Sequence, residues 1–153
     1  VPVYFTWWVC VPEELQQFNP TVLGCGIACG LVIDTLLLVN NYRDRDNDKR
    51  DGKMTLVVRI GIRNTEKLYL YLPTVAEIIV FLCLATAMQL TILEVVIFLA
   101  LASLYFIPHS KTTKKLIAIK KGKALNMVLG MTARDMFLFG IMTAVQIILI
   151  YEP

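Results

Sequence analysis

One stretch of the sequence decides the fold. It occupies residues 21–53 and reads TVLGCGIACGLVIDTLLLVNNYRDRDNDKRDGK. Residues 21–39 are almost wholly apolar, whereas residues 40–53 carry a dense mixture of aspartate, arginine and lysine. A helix of about 20 apolar residues crosses a hydrocarbon layer of about 30 Å. The stretch therefore predicts a membrane-spanning helix followed at once by a strongly charged segment.

The whole chain has the composition of an integral membrane protein. It has 153 residues, 57% of them hydrophobic, and a mean hydropathy of +0.64, whereas soluble domains average about 45–50% apolar residues. Further apolar stretches occupy residues 68–87, 91–107 and 131–150, and a shorter one opens the chain at residues 1–10. Lipid cannot satisfy open backbone groups, and none of these stretches alternates like a strand. We therefore predict an all-α, multi-pass transmembrane helical bundle with four full spans and the end of a fifth.

The basic residues are confined to particular connections between these spans. Of the fifteen lysines and arginines, eight lie within 40–67 and six within 108–130, and Arg134 lies just inside the following span. The connection 11–20 contains two glutamates and no basic residue. If the spans alternate in direction, all the basic residues lie at one membrane face, which the positive-inside rule makes cytoplasmic. We therefore predict a multi-pass protein of the cell (inner) membrane, with 40–67 and 108–130 cytoplasmic.

The charged segment has the spacing of a metal and phosphate site. If the helix of residues 21–39 continues for two or three turns, Asn40, Asp44 and Asp48 fall on one of its faces. Two carboxylates and an amide are the hard oxygen ligands that Mg²⁺ accepts, together with waters and substrate phosphates. Nearby cations that could neutralise phosphate oxygens are Arg43, Lys49, Arg50 and Lys53. On spacing alone, a solvated loop that only fixes the orientation of the protein explains the segment equally well.

The longer string of residues 40–61, NNYRDRDNDKRDGKMTLVVRIG, resembles the second aspartate-rich motif of the UbiA-type intramembrane prenyltransferases. It is most similar to the branch that prenylates 1,4-dihydroxy-2-naphthoate in menaquinone synthesis, whose pattern reads roughly NNxRDxxxDxxxGKxTLxVRxG. The matching positions are Asn40, Asn41, Arg43, Asp44, Asp48, Gly52, Lys53, Thr55, Leu56, Val58, Arg59 and Gly61. Residues 123–133, KALNMVLGMTA, also resemble the last loop and helix of that family.

The resemblance implies a domain organisation. Residues 1–153 would form the C-terminal half of a single integral-membrane prenyltransferase domain, and the first aspartate-rich motif would belong to a preceding N-terminal half. The chain has no initiator Met and starts directly with apolar residues, VPVYFTWWVC, as the end of a longer span would. We therefore expect the 153 residues to be inactive without that missing half.

The resemblance also implies a reaction and roles for residues. Magnesium would assist the ionisation of a polyprenyl diphosphate, and the prenyl group would pass to the aromatic acceptor, with the lipid bilayer as the medium and no nucleic acid involved. The implied catalytic residues are Asp44, Asp48 and Lys53; the implied diphosphate ligands are Arg43, Lys49, Arg50, Lys53 and Arg59; and the implied Mg²⁺ ligands are Asn40, Asp44 and Asp48. Asn41 and Tyr42 are candidates for the acceptor pocket.

Three other functions remain open. The protein could be a prenyltransferase of the same superfamily with another aromatic acceptor, or part of a transporter or channel with a basic cytoplasmic collar. A CDP-alcohol phosphotransferase also uses spaced aspartates, but its DGxxAR opening is absent from the sequence. Acidic residues inside spans are costly and commonly face a functional interior. Asp34, Glu77 and Glu94 are among those in or near the predicted spans, and Asp34 lies on the same predicted helix as Asp44.

Overall fold

A computed structural model of the protein describes residues 2–150. Its helices are α1 (Pro2–Cys10), α2 (Pro20–Arg50), α3 (Leu56–Ala87), α4 (Ile92–Ile119) and α5 (Leu125–Ile150), with a 3₁₀ turn at Glu13–Leu15. No strand occurs among the described residues. The four helices α2 to α5 are each long and apolar enough to cross a membrane. The predicted all-α, multi-pass bundle is confirmed.

Helix α2 runs without interruption from its apolar part into its charged part. It begins after Asn19, whose side-chain oxygen accepts a hydrogen bond from the backbone N–H of Val22 at 3.1 Å, and Pro20 follows this cap. At about 1.5 Å per residue, its 31 residues extend well beyond a hydrocarbon layer of about 30 Å. Its last three turns therefore stand at the end of the bundle as a polar helix.

The sequence assigns 40–67 and 108–130 to charged loops between spans, and this assignment is corrected because both segments are mostly helical. Helix α2 ends at Arg50 and α3 begins at Leu56, so the first connection comprises only residues 51–55, and the second comprises residues 120–124. The hydropathy of the sequence predicts where a helix leaves the lipid, but the backbone hydrogen bonds of the helix can continue beyond that point into water. The helix ends where a residue favours another conformation, here Gly52 with φ +75°.

A glycine also interrupts α3 near its start. Gly61 has φ +77° and ψ 170°, which are not helical values and are readily adopted only by glycine. The short segment before it, which carries Arg59, is therefore set apart from the long span that follows. No atom lies within 4 Å of the position a Cβ would occupy at Gly61, so the glycine is required by its backbone conformation alone.

Two clusters of buried side chains hold the bundle together. One lies within the membrane-spanning part and includes Val32, Val80, Phe98 and Phe139. The other lies beneath the charged end of the bundle and contains Leu38, Val39, Tyr42, Val57, Tyr69, Leu116, Leu125 and Val128. Because the second cluster draws on α2, α3, α4 and α5, it fixes the four helices relative to one another next to the charged segment.

The basic segments meet at one end of the bundle. Arg43 on α2 donates a hydrogen bond from Nη1 to Oδ1 of Asn126 on α5 at 2.9 Å. Arg45 donates to the backbone oxygen of Lys120, which follows α4, at 2.6 Å. The clustering of positive charge deduced from the sequence is therefore present in three dimensions, at the end opposite Glu13 and Glu14.

The intramembrane acids have distinct surroundings. Glu94 caps α4, where its carboxylate accepts from the backbone N–H of Thr91 at 2.6 Å, so its role is structural. Glu77 is buried and lies 3.5 Å from the side-chain nitrogen of Gln146, whereas Asp34 is exposed on α2. An acid that the sequence analysis overlooked, Asp135, is buried and accepts hydrogen bonds from Thr112 at 2.5 Å and Arg134 at 2.6 Å.

Candidate functional site

The predicted face of α2 is formed by one continuous helix. Asn40, Asp44 and Asp48 lie on successive turns, because α2 is helical throughout from Pro20 to Arg50. Their side chains are neither fully buried nor fully exposed. The helix therefore continues past residue 39, as the predicted common face of these three residues requires.

Arg43 brings the oxygens of this face together. Its guanidinium donates from Nε to Oδ1 of Asp44 at 2.8 Å and from Nη2 to Oδ2 of Asp44 at 2.6 Å. Nη2 also donates to Oδ1 of Asn40 at 2.8 Å, and Nη1 donates to Oδ1 of Asn126 at 2.9 Å. The bidentate carboxylate–guanidinium pair is the strongest geometry available to these groups. Three oxygens from Asn40 and Asp44 therefore converge on one cationic group.

Asp48 and Lys53 lie one turn farther along. None of the four ion pairs within residues 2–150 includes Asp48, so its carboxylate is available to a ligand. The backbone oxygen of Asp48 accepts from the backbone N–H of Lys53 at 2.7 Å, and the left-handed conformation of Gly52 makes this return of the chain possible. The pKa of the Asp44 carboxyl is lowered chiefly by its hydrogen bonds from Arg43, and the positive charge of Lys53 lowers it further by a smaller amount.

The remaining predicted cations lie on the rim of the site. Arg50 donates to Oδ1 of Asn47 at 2.9 Å, and Arg59 donates to the backbone oxygen of Met54 at 3.1 Å. Lys49 is exposed. The structure thus brings Arg43 to the carboxylate of Asp44, and within residues 2–150 it forms no ion pair between the exposed Lys49, Arg50, Lys53 or Arg59 and Asp44 or Asp48.

Tyr42 and Asn41 were the candidates for an acceptor pocket, and the structure places them differently. Tyr42 is completely buried, and its hydroxyl donates to Oε1 of Glu66 on α3 at 2.7 Å. Its ring lies under the guanidinium carbon of Arg45 at 4.8 Å. Tyr42 thus joins α2 to α3 and presents no free surface to an acceptor, whereas Asn41 is half-buried at the edge of the polar face.

Asn126 is the site residue that the sequence analysis missed. It belongs to the segment KALNMVLGMTA, but no local spacing connects it to Arg43, because the two residues are 83 positions apart in the chain. Glu66, the partner of Tyr42, was missed for the same reason. A family resemblance in that segment was the one available signal.

An apolar groove leads away from this polar face between α2 and α5. A cavity of about 550 Å³ is lined by Asn40, Leu37, Ile33, Leu129 and Ala133. A second cavity of about 550 Å³ shares Ile33 and Ala133 with it and extends toward the membrane interior, past Phe139 and Ala144. Asn40 therefore stands where the polar face and an extended apolar groove meet.

The donor set fits Mg²⁺. The oxygens of Asn40 and Asp44 already surround a cationic group, and the Asp48 carboxylate lies one turn away. No cluster of three or more His, Cys, Asp or Glu side chains suited to a metal occurs in the described part of the chain. The face would therefore supply only part of a coordination shell, as is usual for Mg²⁺, which takes its other ligands from water and phosphate.

Comparisons with known proteins agree with the motif. The model of the UbiA prenyltransferase family matches residues 1–129. The chain is 36% identical over 70 residues to a 1,4-dihydroxy-2-naphthoate octaprenyltransferase of Escherichia coli (strain K12), a match covering 44% of this chain and 23% of that protein. It is 42% identical over 65 residues to the protein of the same name from Mycobacterium tuberculosis (strain ATCC 25618 / H37Rv), covering 42% of this chain and 22% of that protein. The chain thus spans less than a quarter of the relatives in these matches, and no solved structure matches it significantly.

Proposed function

The chain belongs to the UbiA prenyltransferase family, and from that membership we propose that it forms the C-terminal half of an enzyme that transfers a polyprenyl group from its diphosphate to 1,4-dihydroxy-2-naphthoate. The acceptor is proposed because both relatives described above carry that substrate in their names. The preceding half of the protein would supply the first aspartate-rich motif. The charged ends of α2 to α5 would face the cytoplasm, as their positive charge favours.

One observation carries this proposal: the polar face opens directly onto the apolar groove at Asn40. A polyprenyl diphosphate has a head with several negative charges on a long hydrocarbon tail, so it needs these two environments side by side. The head would lie against the end of α2 at the membrane edge, and the tail would follow the groove between α2 and α5. A solvated loop would have no reason to adjoin such a groove.

The residues of the face have separable roles in this proposal. Asn40, Asp44 and Asp48 would hold Mg²⁺, which when bound would neutralise charge on the departing diphosphate. The Arg43 fork and the Lys53 ammonium would bind diphosphate oxygens directly. Such fixed positive groups favour the state in which negative charge accumulates on the leaving group more than they favour the substrate. The apolar walls of the groove would keep water away from the electron-deficient prenyl carbon.

The experiment that tests the proposal is a transfer assay with the complete protein in detergent or nanodiscs. A radiolabelled polyprenyl diphosphate is offered with 1,4-dihydroxy-2-naphthoate or with 4-hydroxybenzoate, in the presence of Mg²⁺ or of excess EDTA. We expect a prenylated product with the naphthoate, dependent on Mg²⁺. Product with 4-hydroxybenzoate alone would replace the acceptor but keep the reaction class, and failure with both acceptors would contradict the proposal.

A further inference from the structure

The Arg43 guanidinium is almost fully engaged by the protein itself. A guanidinium has five N–H donors, and the structure pairs those of Nε, Nη1 and Nη2 with oxygens of Asp44, Asn40 and Asn126. Adjacent residues of a helix point about 100° apart, so Arg43 and Asp44 do not face each other by helix geometry alone. The long side chain of Arg43 must therefore be held in the position where it meets Asp44.

A residue of a different helix, Asn126, keeps the Arg43 side chain in that position. It lies in the first turn of α5, and its side-chain oxygen accepts from Nη1 at 2.9 Å. Asp44 and Asn40 accept hydrogen bonds from Nε and Nη2 but not from Nη1. Asn126 therefore binds the guanidinium at the nitrogen that is not bonded to α2. Leu125 beside it is fully buried in the cluster beneath the charged end, which fixes the position of Asn126.

We propose that Asn126 is a positioning residue that holds the Arg43 guanidinium over the oxygens of Asn40 and Asp44. The guanidinium occupies the position of a cation there until metal and diphosphate bind together. The inference rests on the proposed function, because it concerns the same face. When the two ligands arrive together, the Nε and Nη2 edge of Arg43 exchanges carboxylate oxygens for phosphate oxygens while Nη1 remains on Asn126. The oxygens of Asn40 and Asp44 that Arg43 releases would then be free to hold the metal.

This arrangement makes metal binding depend on diphosphate. A metal ion alone must drive the guanidinium out of its hydrogen bonds and offers it no anion in return. Diphosphate bound together with the metal would offer Arg43 a second bidentate anionic partner in exchange for the Asp44 carboxylate. The protein therefore discriminates against a bare metal ion and favours the pair that the reaction requires.

The test compares two calorimetric titrations of the complete protein in detergent, one with Mg²⁺ alone and one with preformed magnesium pyrophosphate. Asn126→Ala removes a hydrogen bond to a charged group and so lowers the free-energy cost of displacing Arg43, which should tighten the binding of Mg²⁺ alone by about tenfold or more. Binding of magnesium pyrophosphate should not tighten, because there the bond to Asn126 is kept. Arg43→Lys, which retains the charge but lacks the fork, should also tighten the binding of Mg²⁺ alone.

Asn64→Ala is the matched control, because Asn64 is an exposed asparagine of α3 whose side chain donates to the backbone oxygen of Ile60 in its own helix at 2.9 Å and has no hydrogen bond with Arg43. It should leave both titrations unchanged. If Asn126→Ala behaves like Asn64→Ala, or changes both titrations equally together with the melting temperature, the positioning role is overturned. If the wild-type protein does not bind magnesium pyrophosphate at all, the proposed function itself fails, whatever the variants do.

Discussion

The carboxylate of Asp44 accepts two hydrogen bonds from its neighbour Arg43, at 2.8 and 2.6 Å, so one residue of the aspartate-rich motif is bound by the next. The two side chains are partly exposed, at 27% for Arg43 and 37% for Asp44, which leaves the pair open to exchange with a ligand. A guanidinium in this position shows that the oxygens of the face are already arranged around positive charge. The polar end of α2 thus gathers oxygens of Asn40 and Asp44 around one guanidinium.

The first prediction concerns the two predicted metal carboxylates. Asp44→Ala and Asp48→Ala should each reduce prenyl transfer by the complete protein by about 100-fold or more, because each removes a charged ligand that the metal and diphosphate share. Transfer of a radiolabelled prenyl diphosphate is measured across a Mg²⁺ titration. Asp46→Ala is the control, since Asp46 is exposed and lies 3.8 Å from Arg45, away from the face. Equal and small effects at all three aspartates would contradict the metal site and would show that the segment is only a solvated helix end.

The second prediction concerns the orientation of the bundle. Single cysteines at Gln17, Asp51 and Lys123, all exposed, are placed in a background from which the four native cysteines have been removed. An impermeant thiol reagent added to intact cells should label Gln17→Cys, while Asp51→Cys and Lys123→Cys should react only after the membrane is permeabilised. The reason is the accumulation of lysine and arginine at one end of the bundle. Labelling of Asp51→Cys from outside would reverse the assignment.

The third prediction concerns the interruption of α3. Gly61→Ala should destabilise the protein by about 1–2 kcal/mol, because an L-residue is strained at φ +77° and the site offers no contact to a new methyl group. Gly140→Ala is the control, since Gly140 lies within α5, has open space around its Cβ position and has no positive φ. That substitution should be neutral or slightly stabilising. Thermal unfolding in detergent measures both variants, and similar melting temperatures for the two would show that Gly61 carries no strain.

The fourth prediction separates a packing role for Tyr42 from an acceptor role. Tyr42→Phe keeps the buried ring but removes the hydroxyl that donates to Glu66, so stability should fall by about 1 kcal/mol. The KM for the aromatic acceptor should remain unchanged, because the ring presents no free surface. Unfolding and acceptor kinetics are measured on the same preparation. A raised KM without loss of stability would place Tyr42 in the acceptor pocket after all.

The sequence by itself determined the features that depend on neighbouring residues. Apolar length predicts the spans, and the confinement of basic residues to two connections predicts that the charged ends meet. The i, i+4, i+8 spacing of Asn40, Asp44 and Asp48 gives a common face as soon as the helix continues, because the helical period is local. What the local pattern could not show was that α2 continues to Arg50, since hydropathy reports the thickness of lipid and not the end of a helix.

Only the tertiary structure decided which residues meet across helices. Asn126 reaches Arg43 although the two are 83 positions apart, and the buried Tyr42 donates its hydroxyl to Glu66 on α3. The groove that begins at Asn40 likewise exists only because α2 and α5 lie side by side. These relationships depend on the rotation of each helix about its axis and on its packing partners. Rotation and partner choice are set by the fit of buried side chains from several segments together, and the spacing within one segment leaves them undetermined.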